Sequence, residues 1–71
     1  MKEAPQEHDV VIVKERDEEF SITQLMTGGL RHLEGPISGR DAAEARARAL
    51  AGEQMAEAWF QVTPDIYLLL Q

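Results

Sequence analysis

Arg40-Asp41-Ala42-Ala43-Glu44-Ala45-Arg46-Ala47-Arg48-Ala49-Leu50-Ala51-Gly52-Glu53-Gln54-Met55-Ala56-Glu57-Ala58 is the stretch on which the fold turns. It has no β-branched residue and no proline, and it is built from Ala, Glu, Arg, Leu, Gln and Met, the strongest helix formers. Asp41 followed by Glu44 reads as a capping pair, with Ser38 and Asp41 as a competing pair one turn earlier. Acids in the first turn suit the helix dipole. Glu44 and Arg48 are a favourable four-apart pair, and Glu53 and Glu57 an unfavourable one. Gly52 costs about 1 kcal/mol against Ala inside a helix, so it marks either a close contact or an early end with Met55 to Ala58 as a loose last turn.

On a helical wheel the small residues form two stripes. One holds Ala42, Ala45, Ala49, Gly52 and Ala56; the other holds Ala43, Ala47, Leu50 and Ala58. Either stripe lets the helix lie close on a sheet, leaving the other half exposed or free for a second protein.

Strand-like segments flank this helix. His8 to Lys14 carries Val10, Val11, Ile12 and Val13, an unbroken β-branched run that suits a strand buried on both faces or central in its sheet. Glu15 to Glu19 is a charged turn. Phe20 to Met26 alternates, with Phe20, Ile22 and Met26 on one face and Ser21, Thr23 and Leu25 on the other. Thr27-Gly28-Gly29-Leu30 predicts a hairpin, with the two glycines as a type I′ turn. That loop pairs Met26 with Arg31, Leu25 with His32 and Gln24 with Leu33. It sets Ile22, Met26 and Leu33 under the helix and Leu25, Leu30 and His32 on the far face. The third strand runs from Leu30 to about Glu34 and ends at Gly35-Pro36. Beyond the helix, Trp59 to Val62 is a short strand, Thr63-Pro64-Asp65 suits a type I turn, and Ile66 to Leu70 closes as a last strand. The expectation is an α+β fold in the order β-β-β-α-β-β: an antiparallel sheet of four to five strands with one helix packed on one face. Residues 1–8 form a flexible arm and residues 9–71 one domain.

Composition narrows the function. Seventy-one residues without cysteine leave a small core, and a chain of this size buries only about 60% of its unfolded surface. Disulfides and thiolate metal sites are excluded. The polar N-terminus is no signal peptide, and no apolar run approaches the roughly 18 residues that span a membrane. These features fit a cytoplasmic protein. Thirteen acids against seven bases give a net charge of −6. That argues against direct contact with phosphate backbones and is compatible with docking on a basic protein surface.

No catalytic pattern emerges. His8, His32, Asp9 and Glu34 are the sole ingredients of a metal or acid–base site, with His32 and Glu34 expected on one strand face and no third ligand evident. The serines and threonines lack a nucleophile elbow, and Gly28-Gly29 lacks phosphate-loop spacing. The expectation is a non-enzyme with no catalytic, cofactor or metal residue. A small-ligand site near Trp59 and Tyr67 is a minor alternative.

The feature left is the acidic turn. Glu15, Asp17, Glu18 and Glu19 set four carboxylates within five residues, with Arg16 among them, a compact patch that either steers the chain to a Lys/Arg-lined groove or is simply a solvated hairpin tip. The layout of a strand pair, a Gly-turned third strand, an Ala-rich helix opening Asp41-Ala42-Ala43-Glu44-Ala45-Arg46 and a closing apolar strand pair resembles that of some phage anti-CRISPR proteins. It is also similar to that of several small bacterial domains of unknown function. The first resemblance implies an inhibitor occupying a nucleic-acid-binding surface of a CRISPR effector; no functional residue transfers from it. The first expectation is therefore an acidic inhibitor or adaptor that binds a basic protein surface and neither nucleic acid nor membrane. The alternative is a structural module that self-associates through Tyr67, Leu68, Leu69 and Leu70, whose strand is either interior, or covered by the helix, or an edge that pairs in a homodimer.

Overall fold

The computed structural model describes residues 4–70; Met1 to Glu3 of the arm, and Gln71, lie outside the described residues. The elements are β1 (Val10–Arg16), β2 (Glu19–Met26), β3 (Gly29–Ser38), α1 (Arg40–Glu53), β4 (Ala58–Thr63) and β5 (Ile66–Leu70). The chain is α+β in the expected order.

The sheet is mixed, not antiparallel. Its strand order is β3-β2-β1-β4-β5, and β1 and β4 run parallel with Val10 beside Ala58, Val11 beside Trp59 and Ile12 beside Phe60. All other pairs are antiparallel. The cause is the helix. The chain leaves β3 at one edge, crosses the face as α1, and returns on the far side of β1 pointing the same way. A crossover long enough to hold a helix is what parallel pairing requires.

β1 is therefore the middle strand, as its β-branched run suggests. Val10, Val11 and Ile12 are wholly buried. On the helix side the core gathers Val10, Ile12, Phe20, Ile22, Ala58 and Phe60 beneath Ala43, Ala47 and Ala51. Each fully buried Ile contributes roughly 1.5–3 kcal/mol. The stripe holding Ala43, Ala47 and Leu50 faces the sheet, extended by Ala51; Ala42, Ala45, Ala49 and Gly52 are exposed. Methyl side chains at four-residue spacing let the helix settle close to the large β-branched and aromatic groups below. Phe20 and Phe60 meet with centroids 5.7 Å apart at 57°.

Several boundaries differ from expectation. α1 stops at Glu53, because Gln54 closes the last turn onto Leu50 and Ala51 and Met55 turns left-handed at φ 54°. Ala58, expected in the helix, starts β4. Gly39 is the N-cap and no side chain caps the helix, so neither the Asp41 nor the Ser38 pairing forms. Arg40 and Arg48 both pair with Glu44 instead. The first strand starts at Val10, because His8 is left-handed at φ 80°. The β2–β3 turn is centred on Thr27-Gly28 rather than Gly28-Gly29. Met26 pairs with Gly29, Leu25 with Leu30, Gln24 with Arg31 and Thr23 with His32. The positive φ falls on Gly29, not Gly28, so a type I′ turn at the two glycines does not form. The shift is two residues, an even number, so Leu25, Leu30 and His32 still share the far face. β3 also runs through Gly35-Pro36 to Ser38, crossing a cis peptide bond there.

The Gln6–Asp9 turn is tied to the sheet. Asp9 is 4% exposed, and its carboxylate accepts hydrogen bonds from Gln6 N (2.9 Å), Glu57 N (3.1 Å) and Trp59 Nε1 (3.0 Å). His8 N donates to Leu25 O, Leu25 N to Asp9 O, and Val10 N to Glu57 O. One side chain thus joins the entry to β1, the entry to β4 and the indole that fills the second face of the sheet.

Candidate protein-docking site

The acidic turn lies at the tip of the β1–β2 hairpin. Arg16 still belongs to β1 and Glu19 to β2, so the turn itself is Asp17-Glu18. Glu18 takes φ 64°, and a register shift follows Lys14. Glu15, Asp17 and Glu18 are exposed and Glu19 is half-buried. Lys14 Nζ stands 3.8 Å from Asp17 Oδ1, both groups exposed, a contact that water and salt screen almost entirely.

Two further acids reach this end through the topology. Gly39 N donates to Glu18 O at 2.7 Å, which sets the start of α1, and with it exposed Asp41, beside the tip. Because β4 parallels β1, the β4–β5 turn carrying exposed Asp65 opens at the same end. Sequence reasoning misses both. Asp41 reads as a cap, and the end at which Asp65 lies depends on the direction of β4, which no local pattern encodes. Arg40 sits next to Asp41 and pairs with Glu44 of its own helix. Its Nε donates to Glu44 Oε2 at 2.6 Å and its guanidinium stacks 4.2 Å from the Phe60 centroid.

The ingredients of a metal or acid–base site are dispersed. Asp9 is occupied by its three donors. His32 pairs with Thr23, whereas Glu34 pairs with Ile22, and the register shifts between those two pairs. This bulge corrects the expectation that His32 and Glu34 share a face: Glu34 turns to the helix side, where Arg46 Nε donates to its carboxylate. That hydrogen bond and charge hold the Arg46 guanidinium above its usual range. Among the described residues no three His, Cys, Asp or Glu side chains are placed to hold a metal ion, and no cavity opens. Trp59 is 1% exposed, so its ring offers no face to a small ligand.

β5 is an edge strand, paired among the described residues only to β4. This corrects the expectation of an interior strand. Leu70 packs against the core, while Ile66 and Leu68 on the same side of the strand are 57% and 49% exposed. Tyr67 and Leu69 are half-buried on the other side, opposite Gln61 and Trp59. Val62, at the register shift of β4, is also exposed. Among the described residues no helix is long and apolar enough to cross a membrane.

No protein-family model, no curated protein and no solved structure matches this chain.

Proposed function

We propose that the chain is a non-enzymatic inhibitor or adaptor that uses its hairpin end to dock on a basic protein surface. The observation that supports this reading is the gathering of Glu15, Asp17, Glu18, Glu19, Asp41 and Asp65 at one end of the sheet. Three separate parts of the chain contribute them. Held on a rigid sheet and helix start, these carboxylates act together on an approaching Lys/Arg-lined groove, and their field falls off over roughly 8 Å at physiological salt. The mechanism is electrostatic and steric. The acidic end approaches a surface built to hold phosphates, pairs with its cations, and the body of the domain then blocks access. A CRISPR effector is one such surface, in keeping with the resemblance in layout.

The test compares affinity capture from source cells by the natural chain and by the quadruple variant Glu15→Gln, Asp17→Asn, Glu18→Gln, Glu19→Gln. A basic nucleic-acid-binding protein should be retained by the natural chain, released by added salt and lost with the variant, while the far-ultraviolet circular dichroism of the variant stays unchanged. Retention of the same proteins by the neutralised variant would refute the reading.

A further inference from the structure

The two edges of the sheet are built differently. Along β3, exposed Arg31 and His32, the Glu34–Arg46 ion pair, two register shifts against β2 and Pro36, which has no amide hydrogen, all oppose the addition of another strand. These are the devices by which sheet edges are protected. β5 carries only one of them, the register shift against β4 between Gln61 and Thr63. Ile66-Tyr67-Leu68-Leu69-Leu70 has no charge, no proline and no glycine, and its pairing to β4 is regular from Gln61–Tyr67 to Ala58–Leu70. Among the described residues no strand pairs with its outer side. The helix-side surface beside that edge is apolar and open at Val62, Ile66 and Leu68.

From this contrast we infer that β5 pairs antiparallel with β5 of a second copy, centred on Leu68. The strand is complementary to itself in that register. Leu68 lies beside Leu68 of the other copy, Ile66 beside Leu70, and Tyr67 beside Leu69, so every facing pair is apolar on both sides of the sheet. Directly opposed side chains of this kind help hold strands together beyond the backbone ladder. Charge selects the same arrangement. Each copy carries −6, but antiparallel pairing puts the two acidic hairpin ends at opposite ends of the joined sheet. A two-fold axis normal to the sheet also sets both helices on one side, flanking the Ile66 and Leu68 strip. A second copy therefore fits better than a basic peptide, because β5 itself offers no side-chain carboxylate for a basic strand to meet. The inference does not depend on the acidic end binding a partner.

The test is sedimentation equilibrium on the natural chain and on Leu68→Lys and Leu68→Glu. The natural chain should sediment at twice the monomer mass. Each variant alone should sediment as a monomer, because two like charges then face each other across the axis. An equimolar mixture of the two variants should recover the dimer, since the introduced ammonium and carboxylate are then opposed. Leu68 is half exposed in the single copy, so folding of both variants should survive, checked by circular dichroism. If either variant unfolds, the more exposed Ile66→Lys replaces it and should likewise give a monomer. A natural chain that stays monomeric up to its solubility limit, or variants that stay folded and dimeric, would overturn the inference. So would a mixture of folded variants that remains monomeric.

Discussion

Asp9 satisfies three donors, one from the turn before β1 and two from the entry to β4, while itself 4% exposed. Removing the acceptor leaves the buried Trp59 indole N–H without a partner, at about 1–3 kcal/mol, and also takes the partner of the part-buried Gln6 and Glu57 amides. A core of this size rarely supplies more than about 3–5 kcal/mol in total. Asp9→Ala should therefore abolish the cooperative thermal transition, followed by circular dichroism and Trp59 fluorescence, with Asp9→Asn intermediate. Gly35 is constrained by space. Its φ is 124°, and a Cβ there would stand 2.9 Å from Ser21 Cα and 3.1 Å from Phe20 O. Gly35→Ala should cost about 1–3 kcal/mol in urea denaturation. Gly28→Ala, with no positive φ and nothing within 4 Å of the added carbon, should change stability by less than about 1 kcal/mol. Neither role is legible in the sequence. Asp9 resembles any acid in a polar leader, and Gly35-Pro36 has the look of a strand terminator until the bulged register carries β3 through it.

The elements themselves are largely legible. Period and propensity locate all five strands and the helix, because each signal is local and its residues sit near one another in the fold. Which stripe of the helix faces inward is not. Both stripes are alanine-rich, and only the crossing of α1 over the sheet distinguishes Ala43, Ala47 and Ala51 from Ala42, Ala45 and Ala49. Substitution should separate them sharply. Ala47→Leu forces extra methyl groups between α1 and the β-branched core and should destabilise by about 1–3 kcal/mol. Ala45→Leu, on the exposed side, should stay within about 0.5 kcal/mol. Chemical denaturation of the two variants measures the difference directly. The helix also ends where geometry and not composition dictates: Glu53 to Ala56 has helix formers enough, yet the left-handed Met55 sends the chain back to β1.

At the scale of the whole molecule, the direction of β4 decides most of what sequence reading does not reach. Strand direction is set by where a helix lets the chain re-enter the sheet, and that information is spread over β3, α1 and β4 together. It turns an expected antiparallel sheet into a mixed one and brings Asp65 to the hairpin end. The candidate acidic site is half legible as a result: Glu15, Asp17, Glu18 and Glu19 come from one charged turn, but Asp41 and Asp65 join them only through the topology.

The parallel seam between Val10–Ile12 and Ala58–Phe60 also has a consequence for synthesis. The three-stranded meander emerges from the ribosome first, with its most apolar strand lacking a neighbour on one flank. That flank stays bare until α1 and then β4 have been translated, and the missing partner must arrive from a distance along the chain, which slows folding. During that interval the open flank of β1 is a strand edge free to pair with another chain, so a product truncated before Ala58 should aggregate.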